Sequence, residues 1–187
     1  MGSVTEQSIS WEEYPEAPAG DSRATVSAFD TISGGWLSLP QKARQLPAAR
    51  DHVGGAMVVH KFYVLGGRDS GVTNLRDTVF VLDLHDIASG WTTAAGKMPT
   101  PRTSIPTGAV DTKIYVFGGE GNRANKTGVF NQSEVYDTVA DSWAGLPPMK
   151  FPRHGTQAAV AGGKVYIPGG SVREGPGGTD YFDVYIP

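Results

Sequence analysis

Cysteine is absent from this chain. Disulfides, thiolate metal sites, cysteine nucleophiles and any cofactor built on a cysteine are therefore excluded. Charge of one sign is scarce as well. Sixteen Lys and Arg stand against 19 Asp and Glu, the net charge is −3, and the basic residues are scattered. No broad basic field exists to hold nucleic acid or an anionic membrane surface. Long apolar runs are missing too, and nothing approaches the roughly 18 residues of a membrane-spanning helix. The opening MGSVTEQSIS shows no apolar segment of the secretory type. A cytoplasmic setting is expected, although sequons at Asn125 and Asn131 leave secretion open. Helix-forming stretches are nearly absent: only Leu39 to Ala49 offers a helical turn, limited by its prolines. No P-loop, no G-x-G-x-x-G after a strand, no histidine-pair zinc motif and no Ser/His/Asp spacing is present.

Glycine (25) and proline (13) are plentiful. Short apolar runs separated by Gly, Pro, Asn and Asp clusters indicate all-β structure with many turns. The runs repeat. KFYVLGG, KIYVFGG and KVYIPGG end in diglycines at 66–67, 118–119 and 169–170, spaced by 52 and 51 residues. Arg50, Arg102 and Arg153 each precede the first glycine by 16 residues, and Tyr63, Tyr115 and Tyr166 each precede it by three. Ala56, Gly108 and Ala159 each follow the arginine by six. A third run follows each diglycine (DTVFVLD, SEVYD, DYFDVYI), and Trp91 and Trp143 open a fourth.

Each unit is thus expected to hold four short strands. The diglycine lets the backbone leave the second strand at positive φ, and the tryptophan packs one sheet on the next. The Arg, Tyr, Gly-Gly, Asp and Trp positions resemble the kelch-repeat family, from Ala24 to the C-terminus. That resemblance implies an all-β fold of kelch-type β-propeller blades, each of four antiparallel strands. Expected boundaries are a partial blade at 24–42, blades at 46–98 and 99–149, and a last blade at 150–187 lacking its own outer strand. Residues 8–20, with Trp11, are expected to supply that outer strand. This makes 14 strands, about three and a half blades, whereas a ring of six would need roughly 300 residues. One chain therefore gives an incomplete ring; self-association into a homodimer is expected, with an internally shortened form or a fragment needing a partner as the alternatives.

The resemblance also implies where ligands sit: on loops around one end of the central channel. The candidate ligand-binding residues are Arg50, His52, Arg68, Asp69, Ser104, Glu120, Asn122, His154 and Arg173. The repeated arginines are expected to be scaffold, bonding loop carbonyls between blades, and the repeated Asp30, Asp83 and Asp137 to be turn residues. His60 and His85 are expected on the surface, with no metal site and no cofactor. The expected function is a binding module for a protein or small-molecule ligand. The alternative is a cofactor-free isomerase, cyclase or lyase, of the kind a biosynthetic pathway employs. It would use His52, Glu120 and Arg102 as candidate catalytic groups. A copper oxidase of the kelch type is excluded, because its Tyr–Cys cofactor needs a cysteine.

Overall fold

The computed structural model describes residues 22–187. The expected closing strand at 8–20 lies outside the described residues. Two complete four-stranded antiparallel sheets occupy the middle of the chain. The first contains β5 (Gly54–Val58), β6 (Lys61–Leu65), β7 (Val79–Asp83) and β8 (Trp91–Thr93) in that order. The second contains β9 (Thr107–Val110), β10 (Lys113–Phe117), β11 (Ser133–Asp137) and β12 (Ser142–Leu146). A three-stranded sheet of β13 (Ala159–Ala161), β14 (Lys164–Pro168) and β15 (Phe182–Tyr185) follows.

The N-terminal part differs from expectation. The hairpin of β2 (Phe29–Asp30) and β3 (Gly35–Trp36) supplies the anticipated third and fourth strands in shortened form. The stretch expected to hold a helical turn does so only at Gln41–Ala43. It then runs on as β4 (Gln45–Arg50), which pairs with β1 (Arg23–Thr25). Pro40 ends the preceding segment in extended backbone (ψ 147°), and β1 offers β4 a hydrogen-bonding edge that the sequence pattern did not reveal.

Register explains the repeated residues. Tyr63 lies opposite Ala56, Tyr115 opposite Gly108, and Tyr166 opposite Ala159. The small residue thus lies beside a bulky ring. At Gly108 the constraint also comes from the next blade, since an added Cβ would stand 2.8 Å from Val165 Cγ1. The core lies between successive sheets, as stacked amphipathic sheets require. Tyr63, Leu65, Val79, Ile114, Val116 and Tyr136 fill one interface. Tyr115, Phe117, Val165 and Ile167 fill the next. Each full blade's tryptophan seals the join: Trp91 Nε1 donates to Ala43 O at 3.1 Å and Trp143 Nε1 to Gly96 O at 3.2 Å. At the last blade, a cleft of about 200 Å³ beside Pro147, Pro148, Met149 and Tyr185 occupies the corresponding place.

The diglycine is an inter-blade joint. Gly118 sits at φ 51°, and a Cβ there would lie 2.1 Å from the carbonyl oxygen of Arg153, in the next blade. Gly119 donates its N–H to that same oxygen at 3.0 Å. Gly66 and Gly67 repeat the arrangement one blade earlier, with Gly67 N bonded to Arg102 O at 3.1 Å.

The arginine side chains correct one expectation. They bond within their own blade, not between blades. Arg102 is fully buried and donates to Gly118 O (2.7 Å), Thr100 O (2.9 Å) and the Glu134 carboxylate. Arg153, equally buried, donates to Ile167 O (2.7 Å), Phe151 O (2.9 Å) and Asp183 Oδ2 (2.5 Å). Arg50 donates to Thr78 Oγ1 at 2.9 Å and lies over the Phe80 ring, 5.0 Å from its centroid. The partner position, the second residue of the third strand, is the same in all three blades. The partner is aromatic once and carboxylate twice.

Candidate functional site

Each blade delivers two short segments to one end of the array: the pair of residues after its arginine and the residue after its diglycine. Backbone bridges hold them together, Asp51 to Arg68, Thr103 to Glu120 and His154 to Ser171. The second residue after each arginine adopts a left-handed conformation: His52 at φ 52°, Ser104 at 54° and Gly155 at 67°. Such backbone is uncommon for non-glycine residues and gathers at functional sites. It lets amides link blade to blade. Ser104 N donates to His52 O at 2.8 Å, and Gly155 N donates to Ser104 O at 3.0 Å.

On this frame the side chains form one network across three blades. Asp51 Oδ1 accepts from Arg68 Nε at 2.5 Å and lies 2.6 Å from His52 Nδ1. Burial pushes the Asp51 carboxyl upward, but hydrogen bonds from Ser22, Arg68 and His52 outweigh it and hold the group below its ordinary value. Arg68 Nη1 also stands 3.7 Å from Glu120 Oε1, which accepts from Ser104 Oγ at 2.9 Å. Glu120 Oε2 faces His154 Nδ1 at 3.3 Å and receives Gly175 N at 3.4 Å. His154 donates through Nε2 to Arg173 O at 2.8 Å, since a carbonyl can only accept. That fixes which ring nitrogen looks at Glu120. Nδ1 is out of line for a hydrogen bond to the carboxylate and has no other protein partner.

The structure therefore gathers five candidates: His52, Arg68, Ser104, Glu120 and His154. Arg173 joins only through its carbonyl, while its side chain turns away to Pro176 O at 2.7 Å. Asp69 pairs with Arg76 at 3.0 Å within its own loop. Asn122 closes its loop by donating to Val129 O at 3.2 Å. The guanidinium groups of Arg50 and Arg102 lie inside their blades, bonded as described above. Two residues join that were not among the candidates. Asp51 follows a scaffold arginine, in register with His154; that shared register was the available signal. Ser171 follows the third diglycine and shares its one hydroxyl proton between Arg173 O at 2.7 Å and Gly175 O at 2.9 Å.

Four-stranded antiparallel sheets, stacked face to face by one interface cluster per join and with their loops gathered at one mouth, are blades of a β-propeller. The KLHDC2/KLHL20/DRC7 Kelch-repeats domain matches residues 16–186. The chain belongs to the kelch-repeat family. It is similar to Kelch-like protein terF of Aspergillus terreus, with 34% identity over 170 residues, 89% of this chain and 36% of the relative. It is similar also to N-(sulfonatooxy)prop-2-enimidothioate sulfolyase of Thlaspi arvense, with 34% identity over 116 residues, 60% of this chain and 32% of that protein. N-acetylneuraminate epimerase of Haemophilus influenzae shares 35% over 120 residues, 63% of this chain and 30% of the enzyme. The chain thus spans about a third of the length of these curated relatives. Among the described residues, no helix is long and apolar enough to cross a membrane.

Proposed function

We propose that this kelch domain is an interaction module that holds a polar ligand, a protein segment or a small molecule, at the mouth formed by His52, Arg68, Ser104, Glu120 and His154. The carrying observation is His154 Nδ1, a buried ring nitrogen that faces Glu120 Oε2 at 3.3 Å without a hydrogen-bond partner, at one end of a network that is otherwise paired. Buried polar groups are rarely left in that state, and the half-exposed His52 gives a ligand its approach. The test is native mass spectrometry of the full chain mixed with a metabolite pool and, separately, with a peptide library. A retained mass is expected for the wild-type chain. Glu120→Gln and His52→Ala, folded by circular dichroism, should bind it at least tenfold more weakly. Equal retention by the variants would remove the mouth from consideration.

One observation favours a second reading, the cofactor-free isomerase, cyclase or lyase. An imidazole and a carboxylate 3.3 Å apart, both largely buried, form an acid/base pair. Two relatives bearing enzyme names, a sulfolyase and an epimerase, support it. Turnover of the retained compound, lost in His154→Gln, separates this reading from simple binding.

The ring itself is completed by self-association. Supporting this are two apolar flanks among the described residues, Phe29, Trp36 and Leu37 at one end and Phe182 and Val184 at the other, each 45% exposed or more. Apolar surface of this kind marks an interface. Light scattering at micromolar concentration should give a particle of two 19.8-kDa chains; a clean monomer would rule the assembly out.

A further inference from the structure

At the opposite end of one blade, two histidines that belong to no repeat position converge on a repeated aspartate. His60 occupies the turn between β5 and β6. Asp83 ends β7, and His85 follows two residues later. His60 Nε2 lies 3.4 Å from Asp83 Oδ2. The His60 and His85 rings stack with centroids 4.2 Å apart and planes within 3°. One donor atom from each of the three side chains falls within 4.8 Å of the others.

Turn chemistry does not require these histidines. Asp30 and Asp137 hold the same kind of turn, capping Ile32 N at 2.9 Å and Val139 N at 3.0 Å, with Ile32 and Val139 where this blade has His85. Thr112 and Gly163 stand where it has His60. The hairpin that presents His60 also holds Val59 at φ 54°, a position filled by Asp111 and Gly162 in the other blades. A β-branched residue in left-handed backbone is a genuine outlier.

We propose that His60, Asp83 and His85 form a binding site for a borderline divalent cation of the zinc type. Two imidazoles and one carboxylate are a donor set that such ions take, leaving coordination positions for water or a further donor. Donors bound at about 2.0–2.1 Å in tetrahedral geometry stand roughly 3.3 Å apart. The His60–Asp83 separation already has that value. His85 is exposed at the surface, and its ring has to leave the parallel stack on His60 to bring a nitrogen into the same arc.

Isothermal titration of the full chain with Zn²⁺ tests the site, paired with NMR of the histidine rings to locate the ion. One ion per chain at micromolar affinity is expected, with shifts at the rings of His60 and His85. His60→Gln and His85→Gln should each weaken binding at least tenfold, and the double variant should remove that step. Because His85 is exposed, H85Q should leave the fold intact, and the ring shifts are read on the wild-type chain alone. No binding below 100 µM, ring shifts confined to His52 and His154 at the mouth, or undiminished affinity in the double variant would each overturn the site.

Discussion

Arg102→Ala is expected to destabilise the domain by about 3–5 kcal/mol, the range for breaking a buried ion pair by removing one partner. The reason is what remains. Glu134 stays in the interior, 5% exposed, with Thr100 Oγ1 as its remaining donor at 2.6 Å. The carbonyls of Gly118 and Thr100 lose a donor each. The pair is a compromise in itself: burial draws the Arg102 guanidinium below its ordinary value, and Glu134 beside it pushes the other way. Replacing both partners with apolar residues should therefore recover much of the loss, as in Arg102→Met with Glu134→Leu. Urea denaturation of the two variants beside the wild-type chain measures this. If R102A lost less than about 1 kcal/mol, comparable with an exposed pair, the arginine would not hold the blade together.

Gly118→Ala should cost a similar amount for a different reason. Left-handed backbone alone costs a non-glycine residue about 1–2 kcal/mol. Here the new methyl group would also meet Arg153 O at 2.1 Å, and that atom is backbone of the next blade. It cannot move without loosening the Gly119 N–H bond that joins the blades. A total of about 3–5 kcal/mol is expected, in the range reserved for disrupted cores. Gly155→Ala is the control. Gly155 has φ 67°, yet a Cβ there would meet nothing within 4 Å, so only the backbone cost of about 1–2 kcal/mol should appear. Equal losses at Gly118 and Gly155 would show that the inter-blade contact contributes nothing.

The blades were legible in the sequence because they repeat. Three copies of Arg, Tyr and Gly-Gly at fixed distances define strands whose register brings each tyrosine opposite a small residue. The N-terminal pairing of β1 with β4 has no second copy to reveal it. The arginine's partner was hidden for the opposite reason. Phe80, Glu134 and Asp183 share a position but not a chemistry, so no single residue type marked the place. At the mouth, variation was the signal, and it drew attention to His52, Ser104 and Glu120. It did not show that His154 would be buried, because Gly175 and the carbonyl of Arg173 close over it from a loop some 20 residues away in sequence.

The amide series at the mouth runs one way. Among the described residues it begins at the His52 carbonyl, passes through Ser104 and ends at Gly155. The array therefore has a head and a tail, like a row of tiles each with a tongue on one edge and a groove on the other. Two copies can continue the series only if the tail of each meets the head of the other, which places their two-fold axis along the channel. A back-to-back pair would set like groups against like. The direction of three hydrogen-bonded loops thus decides which dimers keep the mouth continuous, and a ring built that way would carry two identical copies of the Asp51–Arg68–Glu120–His154 network facing one another across it.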